Sequence, residues 1–267
     1  MNAFAFNGKT VFVAGGTSGI NLGVAHAFAQ AGARLAVLSR KQDKVDAAVT
    51  ALKTHGGQVL GFAADVRDYA AVESAFKDAA AQLSGIDVLI SGAAGNFPAP
   101  ALGISPNGFK SVMDIDVLGS FHVLRAAYPF LNKPGASIVN ISAPQADEAM
   151  EFQMHVCAAK AGVNMITRVA AMEWGPAGVR VNSVSPGPID GTEGMARLAP
   201  NEAMRRQVRD NVPLRRFGQA ADIAQACLWL ASPAAAYVTG AVIPVDGGCA
   251  LTGLGLSGTD IQRALGG

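Results

Sequence analysis

Seven short apolar runs punctuate the chain, and each is followed by a longer stretch of helical periodicity. The runs are "TVFVAG" (Thr10–Gly15), "RLAVLS" (Arg34–Ser39), "QVLGFAAD" (Gln58–Asp65), "IDVLISG" (Ile86–Gly92), "SIVNIS" (Ser137–Ser142), "VRVNSVSP" (Val179–Pro186) and "AVIPVDGG" (Ala241–Gly248). Most are continuously apolar rather than alternating, the pattern of strands buried on both faces. The segments between them, such as "NLGVAHAFAQAGA" and "YAAVESAFKDAAAQL", are Ala-rich and amphipathic. Strand and helix in alternation predict an α/β fold: a doubly wound parallel sheet of about seven strands with helices on both faces.

Local signals mark some boundaries. Gly32 follows the first helix, where a left-handed cap fits. Ser105-Pro106 offers an N-cap with proline at the first helical position. Long helices are expected over Val112–Leu131 and Gln153–Trp174. The least regular stretch, Pro188–Asn211, reads as a mobile loop with a short helix, a lid over the site. No repeat, linker or low-complexity tract divides the chain, so residues 1–267 are expected to form one domain.

Composition narrows the function classes. Half of the 267 residues are hydrophobic and 15% are charged, with a net charge of +1 and no run of like charge. Such a balance points away from nucleic acid and anionic membranes. No apolar run reaches the length of a membrane span, about 18 residues. Cys157, Cys227 and Cys249 are far apart and lack metal-ligand spacing, so no metal site is expected. Reduced thiols, a start without a secretory signal and an end, "IQRALGG", without the SKL address together predict a cytoplasmic protein.

The first strand runs into "AGGTSGINLG". Gly15, Gly16 and Gly19 let the backbone turn sharply, and a helix starting near Gly19 would aim free N–H groups at a pyrophosphate. The alternative is a tight structural turn. The second strand ends in Ser39, Arg40 and Lys41, where an NAD site often carries an acid. A guanidinium there suits a 2'-phosphate, which selects NADPH; otherwise Arg40 is a solvated surface residue. Asp65, ending the third strand, is either an acceptor for the adenine amine or a helix cap.

Beyond single motifs, the chain resembles the short-chain dehydrogenase/reductase family over nearly all its length. The resemblance rests on "GGTSGI", "SGAAGNF", "AAKAG", "RVNSVSPGPI" and "VDGG". It implies a Rossmann-type NAD(P)-binding domain. Its cofactor is implied to lie among Gly15, Thr17, Ser18, Gly19, Ile20, Ser39, Arg40, Lys41, Asp65, Val66, Ala93, Ala94, Lys160, Pro186, Gly187 and Ile189. Departures from the pattern are informative. Asn21 replaces the third loop glycine, where asparagine tolerates unusual backbone angles. Ser91 replaces an asparagine. The family tyrosine falls on Val156, the serine on Ala143 and the helix asparagine on Asp116, leaving Lys160. Valine and alanine cannot protonate a carbonyl or steady it.

One branch of the family, the peroxisomal-type 2,4-dienoyl-CoA reductases, shows this pattern, through "AAGNF", "MDID", "QxHxxxAK" and "PGPIxGTEG". The resemblance implies an NADPH-dependent reduction of a carbon–carbon double bond in an acyl-CoA thioester, by a homotetramer. Asp116 and Lys160 are then the catalytic pair, holding a water between them. Asn96 is the candidate donor to the thioester oxygen, and Phe97 is either substrate wall or core. His155 points away from Lys160's helical face. Met150, Met154 and Met195 line an acyl pocket or fill gaps. Arg197, Arg205 and Arg206 meet coenzyme A phosphates or form a solvated face. The rival readings are a reductase of another enone or of a carbonyl, an NADPH-binding protein without turnover, and a structural subunit.

Overall fold

A computed structural model describes residues 4–251 of the 267. The elements run β1 (Thr10–Ala14), α1 (Gly19–Gln30), β2 (Arg34–Ser39), α2 (Gln42–Lys53), β3 (Val59–Ala63), α3 (Tyr69–Leu83) and β4 (Val88–Ser91). There follow α4 (Pro106–Met113), α5 (Gly119–Ala127), β5 (Ser137–Ile141), α6 (Met154–Trp174), β6 (Arg180–Pro186), α7 (Glu193–Leu198), α8 (Glu202–Asn211), α9 (Ala220–Ala231) and β7 (Val242–Val245). All seven expected strands form, and all pair in parallel in the order β3-β2-β1-β4-β5-β6-β7.

Why the strands read as apolar runs is visible in their burial. Along β1, Val11 and Val13 face a layer built from α1, α2 and α9, with Phe28, Leu52 and Leu228 in it. The intervening Phe12 and Ala14 face the opposite layer, with Phe76, Val123 and Ala170 of α3, α5 and α6. Successive strand side chains point to opposite faces, and here both faces are core. Phe12 stacks on Phe76 with ring centroids 4.0 Å apart. Ser105 caps α4 as expected, its hydroxyl accepting from Gly108 N at 3.0 Å. Gly32 has a φ of +89°. Among the described residues, no helix is long and apolar enough to cross a membrane.

Two expected elements differ. The helix expected over Val112–Leu131 starts earlier, at Pro106, and is interrupted by a π-helical turn over Asp114–Leu118. In that turn the Gly119 N–H bonds Asp114 O, five residues back. Gly119 also meets the sheet side: a β-carbon there would lie 2.6 Å from Val66 Cγ2. The segment read as a loop with a short helix contains two helices, α7 and α8. Their N-caps are Thr192 and Asn201, whose side chains accept from Met195 N at 3.2 Å and Met204 N at 2.9 Å. Capping satisfies helix-end donors that a loop would leave to water.

Candidate active site

The strand order reverses between β1 and β4, and in an open parallel sheet the crevice beyond such a point receives the ligand. Ala14 pairs with Ser91 at this edge. Gly15 leaves β1 with a φ of +78°, and a β-carbon on it would lie 2.8 Å from Ala93 N. Glycine is therefore required both for the turn and for the close approach. Gly19 has a φ of +54°. Ser18, the N-cap of α1, makes no side-chain capping bond. The first N–H groups of that exposed helix end are left for an anion, as a pyrophosphate site needs. Thr17 is half-buried beside them, Ile20 packs into the core, and Ala93 and Ala94 follow β4 on the facing side.

Asn21 plays a different part from the one expected. It lies inside α1 with no left-handed backbone, and it is buried. Its Nδ2 donates to Gly92 O at 2.8 Å and to Gly15 O at 3.4 Å. A β-carbon on Gly92 would come within 2.4 Å of that amide. Asparagine thus clamps the glycine loop to the end of β4; its role is a hydrogen bond and not backbone tolerance.

At the far end of the groove, Arg40 is exposed and makes no hydrogen bond or ion pair among the described residues, with half-buried Ser39 before it and exposed Lys41 after it. Asp65 is engaged by Arg67, Nε to Oδ1 at 3.0 Å and Nη2 to Oδ2 at 2.6 Å. This hydrogen-bonded guanidinium holds the Asp65 carboxyl below the usual range, with Arg40 adding at longer distance. Asp65 is not the cap of the next helix; Asp68 is, accepting from Ala71 N at 3.1 Å. Val66 is buried core. On the other side, Pro186-Gly187 ends β6 so close to the last strand that a β-carbon on Gly187 would lie 2.5 Å from Asp246 Cα. Ile189 is buried behind it.

Beneath the centre of the groove lie Asp116 and Lys160. Asp116 sits in the π-helical turn, a feature frequent at functional sites. It is fully buried, and Lys160 on α6 is 7% exposed. Asp116 Oδ1 accepts from Gly95 N at 2.7 Å, and Lys160 Nζ donates to Ile141 O at 3.1 Å. Asp116 Oδ2 and Lys160 Nζ are 3.4 Å apart. The two charges are in direct contact, where a water between them was expected. Oδ2 accepts no hydrogen bond, so the contact is an ion pair without hydrogen-bond geometry. An ammonium has three N–H donors. One goes to Ile141 O and one side faces Asp116, and no third bond is made among the described residues. Val156 and Ala159 pack with Val112 in a small apolar cluster that also touches Phe97. The valine at the tyrosine position is a core residue.

Other candidates separate. Phe97 stacks against His155 at 4.3 Å between centroids. His155 is fully buried, and neither ring nitrogen is bonded among the described residues. Asn96 Oδ1 is buried without a partner, while Asn96 O accepts from the Arg197 guanidinium on α7. Arg205 pairs with Asp190 at 2.7 Å and so pulls the Asp190 carboxyl down. Met195 is buried, whereas Met150 and Met154 are exposed. Sequence reasoning did not single out Ser142, whose buried hydroxyl has no partner, beside Ile141. It also passed over the amide of Gln153, buried and unpaired at the N-cap of α6. Lys44 was missed too; it lies 3.8 Å from Glu193 and ties the lid to α2.

A sheet of this order, a glycine turn at its switch point and a lysine on the central helix define a nicotinamide-dependent oxidoreductase of the short-chain dehydrogenase/reductase class. The chain matches the family described as Enoyl-(Acyl carrier protein) reductase over residues 14–250, and belongs to it. It is 40% identical over 260 residues to the peroxisomal 2,4-dienoyl-CoA reductase [(3E)-enoyl-CoA-producing] of Danio rerio, covering 97% of this chain and 85% of the relative. The protein of that name from Pongo abelii is 43% identical over 246 residues, covering 91% and 84%. Among solved structures, a citronellol catabolism dehydrogenase of Pseudomonas aeruginosa superposes with a TM-score of 0.81 at 36% identity, covering 92% of this chain and 96% of that one.

Replacing Asn21 by Ala removes two hydrogen bonds and leaves two carbonyls to find new partners. The expected result is a loss of about 1–3 kcal/mol in urea unfolding, together with weaker cofactor binding by fluorescence titration. Unchanged binding would show that the loop holds its shape without the clamp.

Proposed function

We propose that this protein is an NADPH-dependent reductase of 2,4-dienoyl-CoA type thioesters, acting on a carbon–carbon double bond within a single nucleotide-binding domain. The observation that carries the reading is the Asp116–Lys160 pair, standing where Val156 and Ala143 replace the phenol and hydroxyl of a carbonyl reductase. The names of the relatives support the substrate class.

The glycine turn, the open N-terminus of α1 and the free Arg40 fit a phosphorylated dinucleotide. When bound, the nicotinamide supplies a hydride. The chain's own groups then manage charge and a proton. Hydride at the distal carbon of the diene leaves a dienolate. In this reading Asn96, whose amide nitrogen makes no hydrogen bond among the described residues, donates to the thioester oxygen and steadies that charge. Lys160 uses its third N–H to hold a water. That water gives its proton to the carbon next to the thioester, and the ammonium steadies the hydroxide left behind. Protonation there yields a 3-enoyl product. Asp116 is sealed from the groove, so its part is to fix the ammonium's charge and direction. The lid over residues 188–211 closes above, through Arg197 and Glu193.

Several exposed apolar side chains lie on the π-helical turn, α5 and α6: Leu118, Phe121, Met165, Val169 and Met172. We assign this face to contacts between copies in a homotetramer. The reading also places the protein in the cytoplasm, which the free thiols of Cys157 and Cys227 support.

Four outcomes are expected. NADPH is oxidised with a 2,4-dienoyl-CoA and not with a 3-ketoacyl-CoA, and Asp116→Ala lowers kcat at least about 100-fold with NADPH affinity near normal. Cofactor binding without turnover on any thioester would indicate a binding protein, and unchanged kcat in the variant would remove Asp116 from the chemistry. Arg40→Ala weakens NADPH about 10- to 100-fold and leaves NADH nearly unaffected; equal effects would show that Arg40 does not read the 2'-phosphate. In light scattering the wild type is tetrameric, and Met165→Glu with Val169→Glu gives smaller species; a monomeric wild type would contradict the assignment.

A further inference from the structure

Two loops rise at the mouth of the site. One follows β4 and carries Gly95, Asn96 and Phe97; the other precedes α6 and carries Met150, Phe152 and Gln153. They are joined by a hydrogen bond from Ala99 N to Phe152 O, at 2.9 Å. Phe152 holds a left-handed backbone, with a φ of +62°. That region disfavours any side chain with a β-carbon, and a bulky residue there is a genuine outlier. The strain serves no burial, since Phe152 is 55% exposed. Around it, Met150 is 43%, Met154 54% and Leu102 104% exposed. Three large apolar side chains thus stand in water on two tied loops, and a fourth, Met154, on the first turn of α6. Contiguous exposed apolar surface of this kind marks a binding site, and strained residues held by their surroundings cluster at such sites.

The patch has a direction. It stands on the same tied loops as Phe97, which packs on Val112, Val156 and Ala159 beside the catalytic pair. Met154 opens α6 six residues before Lys160, about 9 Å along the helix axis. The charged side chains on the loop before α6, exposed Glu148 and Glu151, are both acidic, so the patch does not suit the phosphate-bearing end of a coenzyme A thioester. An uncharged hydrocarbon tail suits it. The first loop also carries groups that shape the reaction centre, Gly95 N on Asp116 and Phe97 against His155 of α6.

We infer that Phe152, with Leu102, Met150 and Met154, forms the surface on which the distal tail of the acyl chain rests, making Phe152 a determinant of chain-length preference. The inference rests on the thioester reading of the site. A short tail ends before it reaches Phe152, whereas a longer one covers the ring and the two methionines. The left-handed backbone keeps the ring turned outward to receive it.

The test compares six-carbon and ten-carbon 2,4-dienoyl-CoA thioesters in the wild type and in Phe152→Gly, a change the left-handed backbone accepts. Leu102→Ser is a second variant at a fully exposed position. The wild type is expected to favour the ten-carbon substrate in kcat/KM, and each variant to lower the ten- to six-carbon ratio, Phe152→Gly by about tenfold. Equal losses at both lengths, or no loss, would overturn the inference and leave the reductase reading standing. So would a change of oligomeric state in Phe152→Gly by light scattering, which would give the patch to a second copy. A wild type that reduces neither thioester would overturn both readings.

Discussion

Two opposite charges, Asp116 and Lys160, meet 3.4 Å apart where almost no water reaches. A buried ion pair seldom adds net stability, because the desolvation of both groups offsets their attraction. Here each partner has one further bond, from Gly95 N and to Ile141 O, and no more. Removing one partner would strand the other charge, at about 3–5 kcal/mol. A pair so costly to place and so sparsely satisfied is best understood through the work its free donor does. Much of the local architecture serves it. The π-helical turn brings Asp116 under α6, Gly119 lets that turn seat on Val66, and Val156 packs away the space a phenol would need.

Helix α7 makes contacts at both ends of the groove. Glu193 reaches Lys44 near the expected 2'-phosphate end, and Arg197 reaches the carbonyl of Asn96 near the reaction centre. These are exposed pairs of small individual value. Weak links of that order hold a cover in place without fixing it there, which suits a groove that must admit and release a large cofactor.

Much of the fold was legible because its physics is local. Strands buried on both faces must be apolar throughout, and Gly15 must be glycine where a β-carbon would strike Ala93. Lys160 was legible because a lysine on an apolar helical face demands a partner, and Asp116 was the acid within the matching motif. The rest depended on contacts between distant segments. The π-helical turn reflects how Gly119 meets Val66, which no periodicity reveals. Asn21 acts on Gly92, 71 residues away. The lid helices depend on caps at Thr192 and Asn201 that a loop-like composition obscured. Phe152 shows its strain only in its backbone angle, since phenylalanine carries no sequence signal for a left-handed turn.

The central claim is that Asp116 and Lys160 act as one unit. A double-mutant cycle on kcat measures this most directly, using Asp116→Asn, Lys160→Met and the pair together in single-turnover reduction of a 2,4-dienoyl-CoA. Residues that act as a unit are grossly non-additive. If Asp116 and Lys160 do so, the double variant is no slower than the slower single variant. Losses that multiply, each substitution reducing the rate by its own factor, would contradict the claim.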